Sequence, residues 1–500
     1  MRLLLKGFVC DGTGEPARRA VLIDGGVIAA VEPEILGSCA ADRTFAFRDE
    51  IIAPGFLDVH GHSEMSLPAA PEAISKRSQG FTGEIIGNCG LSVFPVTDRN
   101  RDHLRELYSA YRVPLSWESL PEYQSELARR QVRLRVFSLC GHNTLRAAVA
   151  GYERERLNAA DLTAMKQLLD RCLRSGASGL SSGLLYVPGC FATPGEIVEL
   201  MRVLAAHDRV YATHLRSEGD GLLESLRETF DCAVRANLKR VQISHFKTAG
   251  RGNWHKLDAA LELIAAYRKQ GVDIHVDRYP YVESQTMLSV ILPPPFDRMG
   301  DGEITWMLRD ASVREQLTAS LRAAKGDADW ARLRLTGAEA PEHRKFLGKH
   351  FSEIPRDPAE LCVEILQNDA NRATVSAAGM SEENLRRILT LDFCMAGSDG
   401  NALNPDALYG NTHPRNFGTA PRFMRMLLDS GVSLGQAVRK LTALPAEFFR
   451  LGKVGRIAPD YAADLTIFDP ETIDSPADFT DPTRPAQGIV RTMLAGVFSA

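Results

Sequence analysis

PGFLDVHGH, at residues 54–62, sets a pattern that recurs through the middle of the chain. A short apolar run leads into polar residues, here His60 and His62. Seven later stretches repeat it: GEIIGNCG (83–90), LRVFSLCGH (134–142), SGLSSGLLY (178–186), RVYATHL (209–215), RVQISHF (240–246), DIHVDRYPY (273–281) and LTLDFCMAGSDG (389–400). Short apolar runs bounded by turn and polar residues predict buried strands.

Helical patterns lie between several of these predicted strands. Apolar residues recur at three- and four-residue steps in DLTAMKQLLDRCLRSG (161–176), PGEIVELMRVLAAH (194–207) and KLDAALELIAAYRKQG (256–271). Repeated strand and helix predict parallel βαβ units, and about eight such strands fit a closed (β/α)8 barrel. We assign this barrel to residues 54–451. The stretch at about 292–336 breaks the rhythm and is predicted to be an insertion.

The two ends of the chain differ from the middle. Residues 1–53 and 452–500 contain short apolar runs broken by Gly, Pro and Asp, which predict short strands joined by tight turns. We therefore expect both ends to assemble into one small β domain. The predicted fold class is α/β, a TIM-like (β/α)8 barrel with a small β-sandwich domain formed by the N- and C-terminal segments.

Composition and charge exclude several classes of protein. Hydrophobic residues make up 44% and charged residues 24% of the chain, which is ordinary for a globular protein. The 59 Lys and Arg residues against 63 Asp and Glu give a net charge of -4, so no basic field favours nucleic acid. No apolar run predicts a transmembrane helix or a signal peptide. Nine scattered cysteines predict no disulfide framework, and we expect a cytoplasmic protein.

Six side chains that can bind a metal follow predicted strands at the same end of each strand. They are His60, His62, Cys89, His214, His245 and Asp399. Each alone has an ordinary structural interpretation, because buried His and Cys are common and Asp often organises a turn. In a parallel barrel, however, all these strand ends share one rim. Imidazole and thiolate together are ligands that Zn²⁺ prefers, so the sequence predicts a zinc site at this rim.

The chain also carries a longer series of motifs in a fixed order: PGFLDVHGHSE, GNCG, GHNTLR, SSGLLYVPG, THLRSE, ISHFKTAG, DRYPY, GSDG and HPR. In this order they resemble the D-aminoacylases (N-acyl-D-amino-acid deacylases) of the amidohydrolase superfamily, as does the closing LTALPAEFFRLGKVGRIAPDYAADLTIFDP. The resemblance covers nearly the whole chain. GNCG with ISHxK and HPR is the most specific part, because most amidohydrolases use a carboxylated lysine where this family has a cysteine.

The resemblance implies a role for each matching residue. Cys89, His214 and His245 match the ligands of one tightly bound zinc. His60, His62 and Asp399 match the surroundings of a second, weaker metal position that Cys89 would bridge. Asp399 matches the general base. The residues that match the binding site for the substrate's carboxylate are Lys247, Tyr279 and Arg415.

Some positions depart from the family pattern or have two interpretations. Phe246 stands where the family often has a second His. Gln285 stands where a carboxylate-contacting hydroxyl is expected, and its amide can still donate a hydrogen bond. Leu185 precedes Tyr186 at a side-chain pocket position, which favours an apolar substrate side chain. His142 either faces the site or fixes a loop, and Tyr186 either hydrogen-bonds the substrate or caps the barrel.

The implied function is zinc-dependent hydrolysis of the amide bond of N-acyl-D-amino acids, giving a carboxylic acid and a free D-amino acid. The expected partner is this small molecule, with no nucleic acid or membrane, and no oligomeric state is predicted. One alternative keeps the metal site but acts on a cyclic amide or another N-acyl metabolite, which Gln285 and Phe246 favour. The other is an inactive binding scaffold, which the six intact metal-binding positions disfavour.

Overall fold

The strands of the molecule fall into three groups, a terminal sheet, a central barrel and an inserted sheet. The computed structural model describes residues 1–33, 41–369, 373–406, 408 and 412–499. In chain order, the strands within these residues are β1 (Arg2–Val9), β2 (Ala17–Asp24), β3 (Val27–Pro33), β4 (Arg43–Pro54), β5 (Phe56–Asp58), β6 (Phe81–Ile86), β7 (Arg135–Ser138), β8 (Cys140–Gly141), β9 (Gly179–Gly183), β10 (Val210–His214), β11 (Arg240–Ile243), β12 (Asp273–Arg278), β13 (Glu283–Met287), β14 (Leu333–Gly337), β15 (Thr374–Ala378), β16 (Cys394–Ala396), β17 (Leu465–Phe468), β18 (Ile489–Leu494) and β19 (Val497–Phe498).

Helices connect most of the barrel strands and build much of the inserted unit. Those in the described part of the chain are α1 (Ser66–Ala69), α2 (Ile74–Arg77), α3 (Arg101–Leu107), α4 (Leu120–Arg129), α5 (His142–Ala150), α6 (Ala159–Arg174), α7 (Pro194–His207), α8 (Leu222–Arg235), α9 (Leu257–Lys269), α10 (Asp301–Met307), α11 (Ala311–Ala324), α12 (Asp327–Trp330), α13 (Pro341–Arg344), α14 (Pro358–Asp369), α15 (Glu382–Thr390), α16 (Arg415–Asp429), α17 (Leu434–Leu441) and α18 (Ala443–Phe449). None of the described helices is long and apolar enough to cross a membrane.

Eight parallel strand segments close into the central barrel. One sheet has the order β16-β12-β11-β10-β9-β8 and another the order β5-β6-β7. β7 and β8 are separated by one residue and together form the third barrel strand. The ring closes between β5 and β16, where Gly61 and Gly400 form a parallel bridge and the Val59 amide donates to the Ala396 carbonyl at 3.2 Å. The predicted (β/α)8 barrel is therefore confirmed.

Local sequence signals begin and bury the barrel helices. Before α6, the Asn158 side chain accepts a hydrogen bond from the Asp161 amide at 2.9 Å, and the Asp161 carboxylate accepts one from the Asn158 amide at 3.0 Å. This reciprocal pair satisfies two amides that the first turn leaves unpaired. Met165, Leu169 and Leu173 then lie four residues apart and are buried on one face of the helix.

Apolar side chains fill the barrel interior and leave the polar ones at its rim. Val59, Ile85 and Met395, from three different barrel segments, belong to one buried cluster with Leu444 and Phe448 of α18. Burying an apolar side chain of this size contributes about 1.5–3 kcal/mol. The cluster makes the barrel a packed core, so an active site has room only beyond the strand ends.

Both chain ends join in one sheet beside the barrel. Its strand order is β19-β18-β17-β4-β1-β2-β3, so β17 from the C-terminal part pairs antiparallel with β4 from the N-terminal part. Leu3, Leu5, Ile52, Leu465 and Ile467 share its buried cluster. The predicted fold class, a TIM-like barrel with a small β domain from both termini, is confirmed.

The inserted unit has its own sheet and its own core. β15 lies between β13 and β14 and pairs antiparallel with both. Leu288, Trp330, Leu335, Phe351 and Val375 belong to its apolar cluster, which is separate from the barrel core. The unit extends beyond the predicted insertion at 292–336 on both sides, because its sheet includes β13 before that stretch and β15 after it.

Candidate metal centre

The six predicted ligands all follow barrel strands at the same rim. His214 ends β10, and the other five side chains lie two to four residues beyond the ends of β5, β6, β11 and β16. Because parallel strands present their carboxyl ends at one face of the barrel, residues far apart in sequence converge there. We call His60, His62, Cys89, His214, His245 and Asp399 the rim cluster.

Most of the rim cluster lies within contact distance. The Cys89 Sγ is 3.3 Å from His60 Nε2 and 3.5 Å from His245 Nε2. One ligand atom each from His60, Cys89, His245 and Asp399 lies within 4.8 Å of the others. His62 joins them through Asp399, whose Oδ1 is 3.1 Å from His62 Nε2. Four protein groups this close can surround a single ion.

His214 supplies the observation that tests whether a metal fits. Its side chain is buried, yet neither ring nitrogen has a hydrogen-bond partner among the described residues. A buried polar atom left unpaired costs about 1–3 kcal/mol, so such a nitrogen indicates a missing ligand. His214 also groups with Glu218 and His245 within 4.8 Å. Imidazole, thiolate and carboxylate donors together fit zinc.

Charges at the rim favour the ionised forms of two ligands. Burial alone would raise the pKa of the Cys89 thiol, but His60 and His245 lower this pKa well below its usual value. The thiolate is the form that binds a metal. Burial likewise opposes ionisation of Asp399, while Arg415 and a hydrogen bond from His62 hold its pKa well below its usual value. The surroundings of both groups therefore favour the anionic form.

Three ligands have a backbone conformation that side chains normally avoid. The φ angles are 51° at Cys89, 37° at His245 and 51° at Asp399. Non-glycine residues seldom occupy this left-handed region, and such conformations concentrate at functional sites. The backbone at Cys89 also lies very close to the end of β9, because a Cβ at Gly183 would lie 2.1 Å from the Cys89 carbonyl oxygen. The close approach requires glycine at position 183.

Cationic and aromatic side chains border the cluster on one side. Arg415 donates from Nη1 to Asp399 Oδ2 at 2.8 Å, and its guanidinium carbon lies 5.0 Å from the Tyr279 ring centroid. The Tyr279 hydroxyl is buried with no hydrogen-bond partner among the described residues. Lys247 Nζ lies 2.8 Å from His245 Nδ1 and donates to Glu218 at 2.5 Å. The structure thus brings Lys247, Tyr279 and Arg415 to the rim cluster.

The sequence of this chain is similar to those of known amidohydrolases. A family model described as "Amidohydrolase family" matches residues 360–500. N-acyl-D-glutamate deacylase of Alcaligenes xylosoxydans xylosoxydans is 33% identical over 496 residues, which cover 98% of this chain and 91% of that protein. D-aminoacylase of the same organism is 32% identical over 501 residues, which cover 99% and 93%.

The chain belongs to the D-aminoacylase family of amidohydrolases. A solved structure is similar along the same length, with a TM-score of 0.83, 28% identity and coverage of 99% of this chain and 96% of the other. It is the N-acyl-D-glutamate deacylase from Bordetella bronchiseptica, complexed with zinc and a phosphonate inhibitor that mimics the tetrahedral intermediate of the reaction. The resemblance inferred from the motifs is confirmed.

The other substrate-side residues of this amidohydrolase lie at different distances from the rim cluster. The Tyr186 ring centroid is 4.9 Å from that of His214, and the Tyr186 hydroxyl is 3.2 Å from Thr286 Oγ1. Leu185 is 38% exposed. Gln285 offers its carbonyl oxygen to Arg415 at 3.4 Å, while its side-chain amide donates to Thr374, also at 3.4 Å. Gln285 therefore adjoins the site through its backbone.

The structure gives His142 partners away from the rim cluster. This wholly buried side chain begins α5, and its Nε2 is 2.8 Å from Glu196 Oε1 on α7. Arg146 reaches the same oxygen at 3.3 Å. Of the two interpretations of His142, fixing its own segment matches these contacts, since the imidazole ties α5 to α7.

Sequence reasoning missed a buried ionic cluster that adjoins the predicted ligands of this amidohydrolase. Lys76 Nζ contacts Asp58 at 2.6 Å, Ser398 at 2.8 Å and Glu84 at 3.1 Å, and all four side chains are buried. We call Asp58, Lys76, Glu84 and Ser398 the ionic cluster. Asp58 Oδ1 accepts hydrogen bonds from the backbone amides of His60 at 3.1 Å and Ser398 at 2.8 Å. It thereby fixes the backbone next to two ligand positions.

Two further acidic residues beside the ligands were also missed. Glu218 contacts His245 Nδ1 at 2.8 Å as well as Lys247, and Asp277 contacts His60 and the backbone of His245. A signal for Asp277 was present, since this carboxylate lies one residue before the end of β12, at the end of the strand where the predicted ligands lie. Glu218 lies four residues beyond His214 in a loop, where an acidic residue is ordinarily exposed to solvent.

Proposed function

We propose that this amidohydrolase hydrolyses the amide bond of N-acyl-D-amino acids in a zinc-dependent reaction, releasing a carboxylic acid and a free D-amino acid. The position of Asp399 carries the proposal. One of its oxygens faces His62 at 3.1 Å and the other accepts from Arg415 at 2.8 Å. The general base is thereby shared between the metal ligands and a cation suited to a carboxylate. Relatives named as deacylases of N-acyl-D-amino acids support the same reaction.

The rim cluster divides between two metal positions in this proposal. Cys89, His214 and His245 would hold one zinc tightly, and the unpaired nitrogens of His214 support that assignment. His60, His62 and Asp399 would surround a second, weaker position, with Cys89 between the two. A bound zinc supplies Lewis acidity, which polarises the amide carbonyl and lowers the pKa of water.

Asp399 moves the proton in the proposed reaction. Its carboxylate is ionised, so it accepts a proton from the attacking water. It then returns that proton to the departing nitrogen, because an amide anion is too basic to leave unprotonated. His62 and Arg415 hold the two oxygens at fixed positions throughout. One carboxylate therefore acts first as base and then as acid.

Lys247, Tyr279 and Arg415 bind the substrate's α-carboxylate. The guanidinium of Arg415 can bind a carboxylate through two parallel hydrogen bonds, whereas Lys247 acts as a point charge. The Tyr279 hydroxyl is buried without a hydrogen-bond partner among the described residues, so it is free to donate to the ligand. Lys247 lies next to His245, and Arg415 lies next to Asp399. Tyr186 and Leu185 border the substrate's side chain, with the Gln285 backbone beside Arg415.

Amine release from a panel of racemic substrates tests the proposal. The panel contains N-acetyl and N-formyl amino acids with acidic, apolar and aromatic side chains, together with cyclic amides, and enzyme of measured zinc content. We expect release of D-amino acids alone, and the preferred side chain identifies the pocket. Asp399→Asn enzyme prepared in parallel controls for deacylases carried over from the host. Cleavage of cyclic amides without cleavage of N-acyl-D-amino acids would contradict the proposal and favour the alternative substrate class.

A further inference from the structure

Asp277 lies beside the rim cluster without being one of the predicted ligands. Its side chain is wholly buried near the end of β12. The two carboxylate oxygens lie 3.1 and 3.3 Å from His60 Nδ1. Oδ1 also accepts the backbone amide of His245 at 2.9 Å, and Oδ2 accepts the side-chain amide of Gln242. A single carboxylate thus contacts ligands of both proposed metal positions.

The contact with His60 determines which ring nitrogen can bind a metal. A carboxylate accepts hydrogen bonds, so His60 Nδ1 carries the proton that faces Asp277. The unprotonated Nε2 then points to the opposite side of the ring, where Cys89 Sγ lies at 3.3 Å and Asp399 Oδ1 at 3.5 Å. Partners of this kind orient metal-binding imidazoles and increase their basicity.

The contact with His245 stabilises an unfavourable backbone conformation. The φ angle of 37° at His245 costs free energy that its surroundings must offset. The amide of His245 donates to the Asp277 side chain, and the next amide, of Phe246, donates to the Asp277 carbonyl at 2.9 Å. Two successive hydrogen bonds to one residue fix the turn that points His245 Nε2 towards Cys89.

The surrounding backbone leaves room for Asp277 only because position 397 is glycine. A Cβ on Gly397 would lie 2.6 Å from Asp277 Oδ1 and 2.8 Å from His60 Cβ. Gly397 directly follows β16 and lies two residues before Asp399. The backbone that leads from β16 to Asp399 therefore packs directly against Asp277 and His60.

The geometry points to Asp277 as a positioning residue that holds His60 and His245, and so both metal positions, in binding geometry. This inference rests on the proposed function for its assignment of the metal positions. Asp277 acts through the two histidines, by fixing the tautomer of one and the backbone of the other. Its loss is expected to weaken metal binding rather than to remove a proton-transfer group.

Zinc affinity of an Asp277→Asn variant tests the inference. Asparagine keeps the size of the side chain and one acceptor oxygen but lacks the charge. We expect zinc affinity, measured by competition with a chromophoric chelator, to fall by about 10- to 100-fold. We also expect the absorption spectrum of the cobalt-substituted variant to change, because the orientation of the ligands changes. Unaltered affinity and spectrum in the folded variant would overturn the inference.

The same strand offers a matched control. Asp273 begins β12 and pairs with His275 Nε2 at 3.1 Å, but its side chain is 48% exposed and lies away from the rim. Asp273→Asn therefore removes the same kind of pair and should keep wild-type zinc affinity and cobalt spectrum. An equal loss in both variants would contradict a specific role for Asp277.

A measurement on the wild-type holoenzyme keeps the test independent of variant folding. The ¹⁵N resonances of the His60 ring, assigned by their absence in His60→Asn, should show a proton on Nδ1 and none on Nε2. A proton on Nε2 would overturn the inference. Because affinity, spectrum and tautomer do not depend on substrate, an enzyme inactive on N-acyl-D-amino acids that gives the expected readouts would refute the proposed function alone.

Discussion

Two buried clusters of polar side chains, the ionic cluster and the rim cluster, adjoin each other in the barrel. They differ in which of their polar atoms have hydrogen-bond partners. In the ionic cluster, Lys76 contacts two carboxylates and a hydroxyl, although Glu84 Oε2 has no hydrogen-bond partner among the described residues. In the rim cluster and beside it, both ring nitrogens of His214 and the hydroxyl of Tyr279 have no hydrogen-bond partner among the described residues. Buried charges that are paired with each other hold side chains in place, whereas a buried polar atom without a protein partner is available to a ligand. The difference is consistent with our proposal that the ionic cluster supports the site and the rim cluster binds.

The largest expected effect comes from the base of the rim cluster. Asp399→Asn cannot accept the proton of the attacking water, so we expect kcat to fall about 10³-fold or more. Zinc content should stay close to that of the wild type, because Cys89, His214 and His245 are unchanged. Steady-state kinetics with metal analysis on the same sample measure both. A variant with near-normal kcat would show that Asp399 is not the base.

Removing the cation of the ionic cluster should instead affect stability. Lys76→Met leaves Asp58 and Glu84 buried without their counter-charge, so we expect the free energy of unfolding to fall by about 3–5 kcal/mol. Denaturant unfolding of the metal-free protein measures it. Lys440→Met is the control, because Lys440 is also buried but donates to backbone carbonyls, among them that of Leu389 at 3.2 Å. Equal losses in both variants would mean that the paired carboxylates add nothing.

In the proposed function Arg415 joins the rim cluster to the substrate, so its replacement should weaken substrate binding. Arg415→Met removes charge-assisted hydrogen bonds to the α-carboxylate, worth about 1.5–3 kcal/mol, and we expect KM to rise about 10- to 100-fold. Arg422→Met is the control, since Arg422 stacks on Tyr281 at 4.9 Å much as Arg415 stacks on Tyr279. A rise in KM of the same size in both variants would contradict carboxylate binding by Arg415.

The smallest effect is expected at Tyr279, which tests the contrast between paired and unpaired buried groups. Tyr279→Phe removes a buried hydroxyl that has no hydrogen-bond partner among the described residues, so the free energy of unfolding should not fall below that of the wild type. KM should rise only a few-fold, because one neutral hydrogen bond to substrate is lost. Parallel unfolding and kinetic measurements separate the two. A marked loss of stability would show that the hydroxyl is already paired in the free enzyme.

The sequence predicted the barrel and the convergence of the rim cluster because both follow from local patterns. The six predicted ligands lie at or just beyond the ends of five barrel strands, and parallel strands bring such ends together. Lys76 and Asp277 were missed because their partners lie on other elements, and no local pattern shows the pairing of Lys76 with Asp58 and Ser398 or of Asp277 with His60. The interpretation of His142 stayed open for the same reason, since its partner Glu196 lies on a different helix.

Stereochemistry of amine release before and after zinc reconstitution tests the central claim most directly. Metal-free enzyme and enzyme reconstituted with increasing zinc are given the separate D- and L-forms of the preferred N-acetyl amino acid, and the free amine is measured. The proposed function predicts release from the D-form alone, absent without metal and restored by zinc. Release from the L-form at a comparable rate, or release that is unaffected by removal of the metal, would contradict it.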